Sequence, residues 1–67
     1  MSVAKVIEIS SSSSVGFEDA VKSGIQRASQ TVKQIQSAWI QDQQVLVRDG
    51  VIVEYRVMMK VTFVLED

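Results

Sequence analysis

Gly50-Val51-Ile52-Val53-Glu54-Tyr55-Arg56-Val57-Met58-Met59-Lys60-Val61-Thr62-Phe63-Val64-Leu65 reads as one long strand near the end of the chain. Val51, Val53, Tyr55, Val57, Met59, Val61, Phe63 and Leu65 alternate strictly, so one face of that strand is wholly apolar. The opposite face, Ile52, Glu54, Arg56, Met58, Lys60, Thr62 and Val64, is too apolar in places to meet only water. A single helix cannot cover both sides. A chain of 67 residues buries only about 60% of its unfolded surface and gains robustness from disulfides, metals or partners. Cysteine and histidine are absent, which excludes disulfides and thiolate or imidazole zinc sites. Association of subunits is left as the source of further burial.

The remaining composition narrows the class. Residues 1–67 make one domain, with no room for a second core. A net charge of −1 with both signs interspersed lacks the electrostatic footprint of a nucleic-acid or anionic-membrane binder. No apolar run reaches the roughly 18 to 20 residues that span a bilayer. Lys5 and Glu8 interrupt the first apolar segment, unlike a signal-peptide core, so the expected location is the cytoplasm. The familiar nucleophile and base pairs need histidine or cysteine, and no two carboxylates are fixed by spacing into a glycosidase-like pair. The expectation is a protein that is not an enzyme.

Ahead of the long strand, Val3 to Ile9 reads as a short strand, followed by a serine turn, Ser10 to Ser14. Phe17, Ala20, Val21, Gly24, Ile25, Ala28, Val32 and Ile35 then recur at helical spacing, which predicts an amphipathic helix of about five turns. Ser13 or Ser14 is its expected N-cap, with Glu18 and Asp19 at the positive end and Lys33 at the negative end. Gly24 costs about 1 kcal/mol in a helix interior, so close approach by a strand or neighbouring helix is expected there. A second strand, about Ala38 to Arg48, joins the third through Asp49-Gly50, a two-residue hairpin signal. A tight loop sets Arg48 opposite Val51. Unbroken parity then places Ala38, Ile40 and Leu46 on the helix side, and Trp39, Gln41, Gln43, Val45 and Val47 on the other. Asp42 and Gln44 fall awkwardly on the helix side, where a bulge would move them. The architecture is α+β: β-α-β-β, a three-stranded antiparallel sheet wrapped round one helix.

In order and spacing the chain resembles the dodecin family over essentially its whole length. The resemblance is carried by Lys5-Val6-Ile7-Glu8-Ile9, the serine-rich approach to Gly16-Phe17-Glu18-Asp19-Ala20-Val21, and Arg27-Ala28-Ser29-Gln30-Thr31. It continues through Asp49-Gly50 and Tyr55-Arg56-Val57-Met58-Met59-Lys60-Val61-Thr62-Phe63-Val64-Leu65-Glu66-Asp67. It implies a hollow homo-dodecameric shell, with self as partner, that stores or sequesters a small flavin-type ligand (FMN, riboflavin or FAD) between subunits. In the family, a tryptophan at the start of the second strand stacks on the isoalloxazine and a glutamine in the third bonds its pyrimidine edge. Ser37 and Arg56 stand at those positions here. Arginine only donates, so the flavin imide N–H loses its acceptor, at about 1 to 3 kcal/mol. Losing the aromatic platform costs about 1 to 3 kcal/mol more. Flavin affinity is expected to be weakened by roughly one to four powers of ten.

Trp39, two residues along on the same face, has two readings: an anchor packed against a neighbouring subunit, or a displaced stacking platform. Arg56 likewise is either a donor to a ligand carbonyl or phosphate, or an ion-pair partner of Glu54 or Asp42. The candidate ligand pocket is therefore Ser37, Trp39 and Arg56. The resemblance also implies an alternative, since some dodecin-like chains lacking the tryptophan and glutamine are linked to calcium or other ions instead of flavin. A carboxylate near a three-fold axis becomes three, which makes Asp42, Glu54 and Glu66 candidate ligands. An ion-binding or purely structural shell is the alternative to a flavin-type store.

Overall fold

The computed structural model describes residues 3–65, and Glu66 lies outside that range. Its elements are β1 (Val3–Ser13), α1 (Phe17–Ala28), β2 (Ile35–Arg48) and β3 (Val51–Leu65). The sheet order is β1-β3-β2, with both neighbouring pairs antiparallel. The alternating strand is thus central, and the β-α-β-β architecture is the expected one. No helix among the described residues is long and apolar enough to cross a membrane.

Three boundaries differ from the sequence expectation: the ends of β1 and α1, and the start of β2, which lies at Ile35 and not near Ala38. The first strand does not stop at Ile9: Ser10, Ser11, Ser12 and Ser13 pair with Met58, Val57, Arg56 and Tyr55. Serine has little strand preference of its own, but β3 offers a continuous ladder, and pairing with it outweighs local propensity. The helix ends at Ala28 and does not reach Val32 or Ile35. Beyond it, Thr31 Oγ1 donates to the Ala28 carbonyl at 3.3 Å and Ser29 Oγ to that of Gln26 at 2.7 Å, local bonds that cap the last turn. Gln34 follows with φ 60, and Ile35 opens β2. Lys33 therefore lies outside the helix, and Arg27 is the basic residue of its last turn.

Both loop residues of the hairpin, Asp49 and Gly50, have positive φ (52 and 78), the backbone that a two-residue turn between twisted strands requires. Arg48 pairs with Val51 and Val47 with Ile52 as expected, but Val53 is then left over and Leu46 pairs with Glu54. A second irregularity at Gln41 restores the original count, and a third falls at Gln36. Between the first two, faces are exchanged. Asp42 and Gln44 join Met58 and Arg56 on the outer face, whereas Gln43 and Val45 pair with Val57 and Tyr55 on the helix side. Leu46, expected under the helix, sits opposite Glu54.

Among the described residues the buried apolar core is Ala20, Val57, Met59 and Val61. Ile7, Ile9, Phe17, Val21, Ile25, Ile35 and Ala38 pack round it, half-buried. Each fully buried Val or Met side chain contributes about 1.5–3 kcal/mol. The Phe17 and Tyr55 rings meet edge to face, 5.2 Å between centroids, tying the start of α1 to β3. Gly24 lies where the helix touches both neighbouring strands. A Cβ there would come within 2.7 Å of Met59 Cε and 2.8 Å of Ser11 Cβ, so the close approach expected at this glycine is made by β3 and β1.

The fold is stretched. Its extents are 51 × 19 × 14 Å and its radius of gyration is 13.8 Å, against about 11 Å for a compact chain of this length. Its accessible surface is 4965 Å², where a compact monomer of this mass exposes about 4200 Å².

Candidate functional site

Residues of β3 with even numbers, together with their partners, form the outer face of the sheet, away from α1. Three rows cross it from β1 through β3 to β2. They are Ser12, Arg56 and Gln44; Ser10, Met58 and Asp42; and Glu8, Lys60 and Trp39. Val6, Thr62 and Ser37 make a fourth. Trp39 is 63% exposed, and Val6 and Met58 are also open to solvent. An indole of that size left in water is the largest unpartnered apolar group on this face.

Arg56 occupies the middle of its row because β3 is central. Its Nε donates to Ser12 Oγ at 3.2 Å, and Nη2 donates to Glu54 Oε2 at 3.4 Å. Glu54 is the acidic partner two residues back on the same face, one of the two expected for this arginine. The Glu54 contact is long for a charge-assisted bond. Beside it lies a depression of about 340 Å³ lined by Asp42, Gln43, Gln44, Arg56 and Met58.

Ser37, Trp39 and Arg56 all project from this outer face, but one chain does not bring them together. The partner of Trp39, Lys60, is four residues along β3 from Arg56, and that of Ser37, Thr62, is six. At the rise of a strand these are about 13 and 20 Å. A ligand touching Arg56 and either of the other two would need a second copy to supply one of them. The carboxylates are similarly separated: Asp42 and Glu54 belong to different rows, and Glu66 lies outside the described residues. Among the described residues no three acidic groups are clustered for a metal ion.

Two neighbours of Arg56 were not legible as such. Gln44 was expected on the helix side and Ser12 in a flexible turn, yet both are cross-strand partners of Arg56, and Ser12 bonds its guanidinium. The signal for Gln44 was its misfit on an apolar face, which the bulge resolves. For Ser12 the only signal was the length of β3, which leaves a partnerless ladder if β1 stops early.

At the start of α1, Ser13 Oγ donates to Asp19 Oδ2 at 2.6 Å and accepts from the backbone N–H of Val15 at 2.9 Å and Gly16 at 3.4 Å. Gly16 holds the N-cap position without a side-chain bond, so Ser13 braces the approach to the helix and does not cap it. Glu18 and Asp19 sit in the first turn as expected.

Comparison with known proteins gives this geometry a family. The dodecin family model matches residues 3–66. Among solved structures, the dodecin from Streptomyces davaonensis is 32% identical, with 98% of this chain and 97% of that chain covered and a TM-score of 0.95. The dodecin from Streptomyces coelicolor is 27% identical, covering 98% and 94%, with a TM-score of 0.94. The calcium chelating immunodominant antigen of Mycobacterium tuberculosis, calcium dodecin, with a novel calcium-binding site, is 31% identical over 96% of this chain and 91% of that one, with a TM-score of 0.84. No curated protein sequence matches. The match over residues 3–66 and the shared β-α-β-β fold establish that this chain belongs to the dodecin family.

Proposed function

We propose that this chain forms a non-catalytic, cytoplasmic homo-dodecamer that takes up a small flavin-type ligand between subunits, for storage or sequestration, with weakened flavin affinity. The observation that carries this reading is the bare outer face, where Trp39, Met58 and Val6 lie open to solvent and Met58 lines the depression beside Arg56. A sheet with one covered side and so small a core gains stability by closing that face against copies of itself. Ser37, Trp39 and Arg56 then come from more than one subunit, which overcomes the separation of about 13 to 20 Å along one strand. Ser37 offers no platform for an isoalloxazine and Arg56 no acceptor for its imide, so FMN, riboflavin and FAD bind less tightly than to a site with an aromatic and an amide.

Native mass spectrometry tests the assembly: twelve subunits are expected, and a stable monomer at dilute concentration overturns it. Flavin fluorescence tests the ligand. Saturable quenching at micromolar protein supports uptake, and none at high micromolar flavin removes it.

A second reading is favoured by the likeness to calcium dodecin. In a shell with three-fold axes, Asp42, Glu54 or Glu66 brought near an axis supplies three carboxylates, enough for a weak oxygen site for calcium. A chelator should then lower the melting temperature, and an unchanged midpoint rules this reading out.

A further inference from the structure

We infer that the row Ser12, Arg56 and Gln44 recognises an oxyanion, so that the outer-face site selects ligands bearing a phosphate or carboxylate over uncharged ones. This deepens the ligand-binding reading above and relies on it only for the rest of the ligand's contacts.

A guanidinium presents five N–H groups in a planar fork that matches two oxygens of an anion. In Arg56, Nε is committed to Ser12 and one Nη2 hydrogen to Glu54. The remaining hydrogens, including both on Nη1, have no partner among the described residues. The side chain is 39% exposed, so a ligand can reach it. Glu54 does not satisfy it: the contact is single and 3.4 Å long, whereas a carboxylate seated on the fork makes two shorter bonds.

The flanking groups add donors on the same side. Ser12 Oγ accepts from Arg56 and keeps its own proton to give. Gln44 is the direct cross-strand partner of Arg56, with Cβ atoms about 5 Å apart, and its amide carries two more donors. Three strands thus place donor-bearing side chains in one row, and Arg56 and Gln44 line the depression together with Met58. A neutral amide edge needs donor and acceptor in alternation, but an oxyanion needs donors and positive charge. Glu54 and Asp42 oppose the anion, which tunes affinity and makes the effect of removing one of them predictable.

The test uses the assembled protein with inorganic phosphate, acetate and chloride as probes at matched ionic strength. Phosphate or acetate should raise the melting temperature saturably, and chloride should not; which of the two acts at lower concentration identifies the preferred anion. Arg56→Gln should abolish the response. Glu54→Gln should lower the half-saturating concentration by roughly threefold to tenfold, and Gln44→Ala should raise it by about threefold. Absence of a response, or an equal response in Arg56→Gln, overturns the inference.

FMN and riboflavin provide the second arm, since they share a ring and differ in a phosphate. FMN should quench at a concentration about tenfold lower, with the ratio falling to about one in Arg56→Gln. Equal quenching by both with phosphate silent overturns the anion preference and leaves flavin-type uptake standing. Phosphate saturation at Arg56 without quenching by either flavin supports the anion site and removes the flavin.

Discussion

The row Ile9, Met59 and Ile40 compares the two halves of one sheet within a few ångströms. All three side chains face the same way, yet Met59 is 1% exposed and Ile40 is 41% exposed. The helix lies over β1 and β3, where Gly24 brings its backbone down onto Met59 and Ser11, and it leaves the far side of β2 uncovered. Apolar alternation therefore specifies a face but not what covers it. β2 adds Ile35, Ala38, Ile40 and Val45 to the helix-side face of β3, and the chain's one helix covers only part of that combined face.

The largest expected effect lies on the covered side. Met59→Ala removes the largest fully buried side chain and should cost about 2–5 kcal/mol. At constant subunit concentration that lowers the melting temperature by on the order of 10 °C or more. A drop of only a degree or two would mean that the helix-covered half is not the stabilising one.

Trp39→Ala probes the bare side. If copies of the chain close over the indole, truncation removes an interface anchor worth about 2 kcal/mol or more per contact. The dodecamer should then dissociate on dilutions that leave the parent intact, as seen by native mass spectrometry. A shell that persists unchanged would assign Trp39 to ligand stacking and remove it from the interface.

How much of this contrast the sequence carries depends on the range of the forces involved. The alternation of Val51 to Leu65, the Asp49-Gly50 turn and the helical stripe from Phe17 to Ala28 are local patterns, and each became the expected element. The helix end at Ala28 is set by local bonds of Ser29 and Thr31, and the other failures are places where a distant partner decides. Ser10 to Ser13 are strand because β3 is long enough to hold them. Val32 and Ile35 keep helical spacing, but Ile35 reaches the core from β2. The candidate site was legible as a face: Ser37, Trp39 and Arg56 do share one. Its local chemistry was legible only in part, since the Glu54 pairing followed from spacing while Gln44 waited on a bulge at Val53 that no propensity marks.

Gly24→Ala sharpens the comparison at the contact itself. Alanine gains up to about 1 kcal/mol of helix propensity, but its methyl would lie 2.8 Å from Ser11 Cβ, which is fixed to the strand. Overpacking of this kind costs about 1–3 kcal/mol, so a net loss of about 1 kcal/mol is expected in urea unfolding at fixed subunit concentration. Ser11→Gly in the same background should cost less than it does in the parent, because it removes the obstruction fixed to the strand and leaves only the flexible end of Met59. A stabilised Gly24→Ala protein would show that helix and sheet separate more easily than this geometry allows.

The smallest effect is expected at the entrance to the covered half. Ser13 Oγ ties Asp19 to the amides of Val15 and Gly16, in a position only 9% exposed. Ser13→Ala leaves those groups to find water at the edge of the core, at about 1 kcal/mol. Its neighbour Ser14 is exposed, so Ser14→Ala should change the unfolding free energy by less than about 0.5 kcal/mol. The pair separates two readings of a serine run that looks uniform. Equal effects at both positions would mean that the run acts through its flexibility, whereas loss at Ser13 alone means that one hydroxyl, fixed by the β1 ladder opposite Tyr55, sets the angle at which the helix enters.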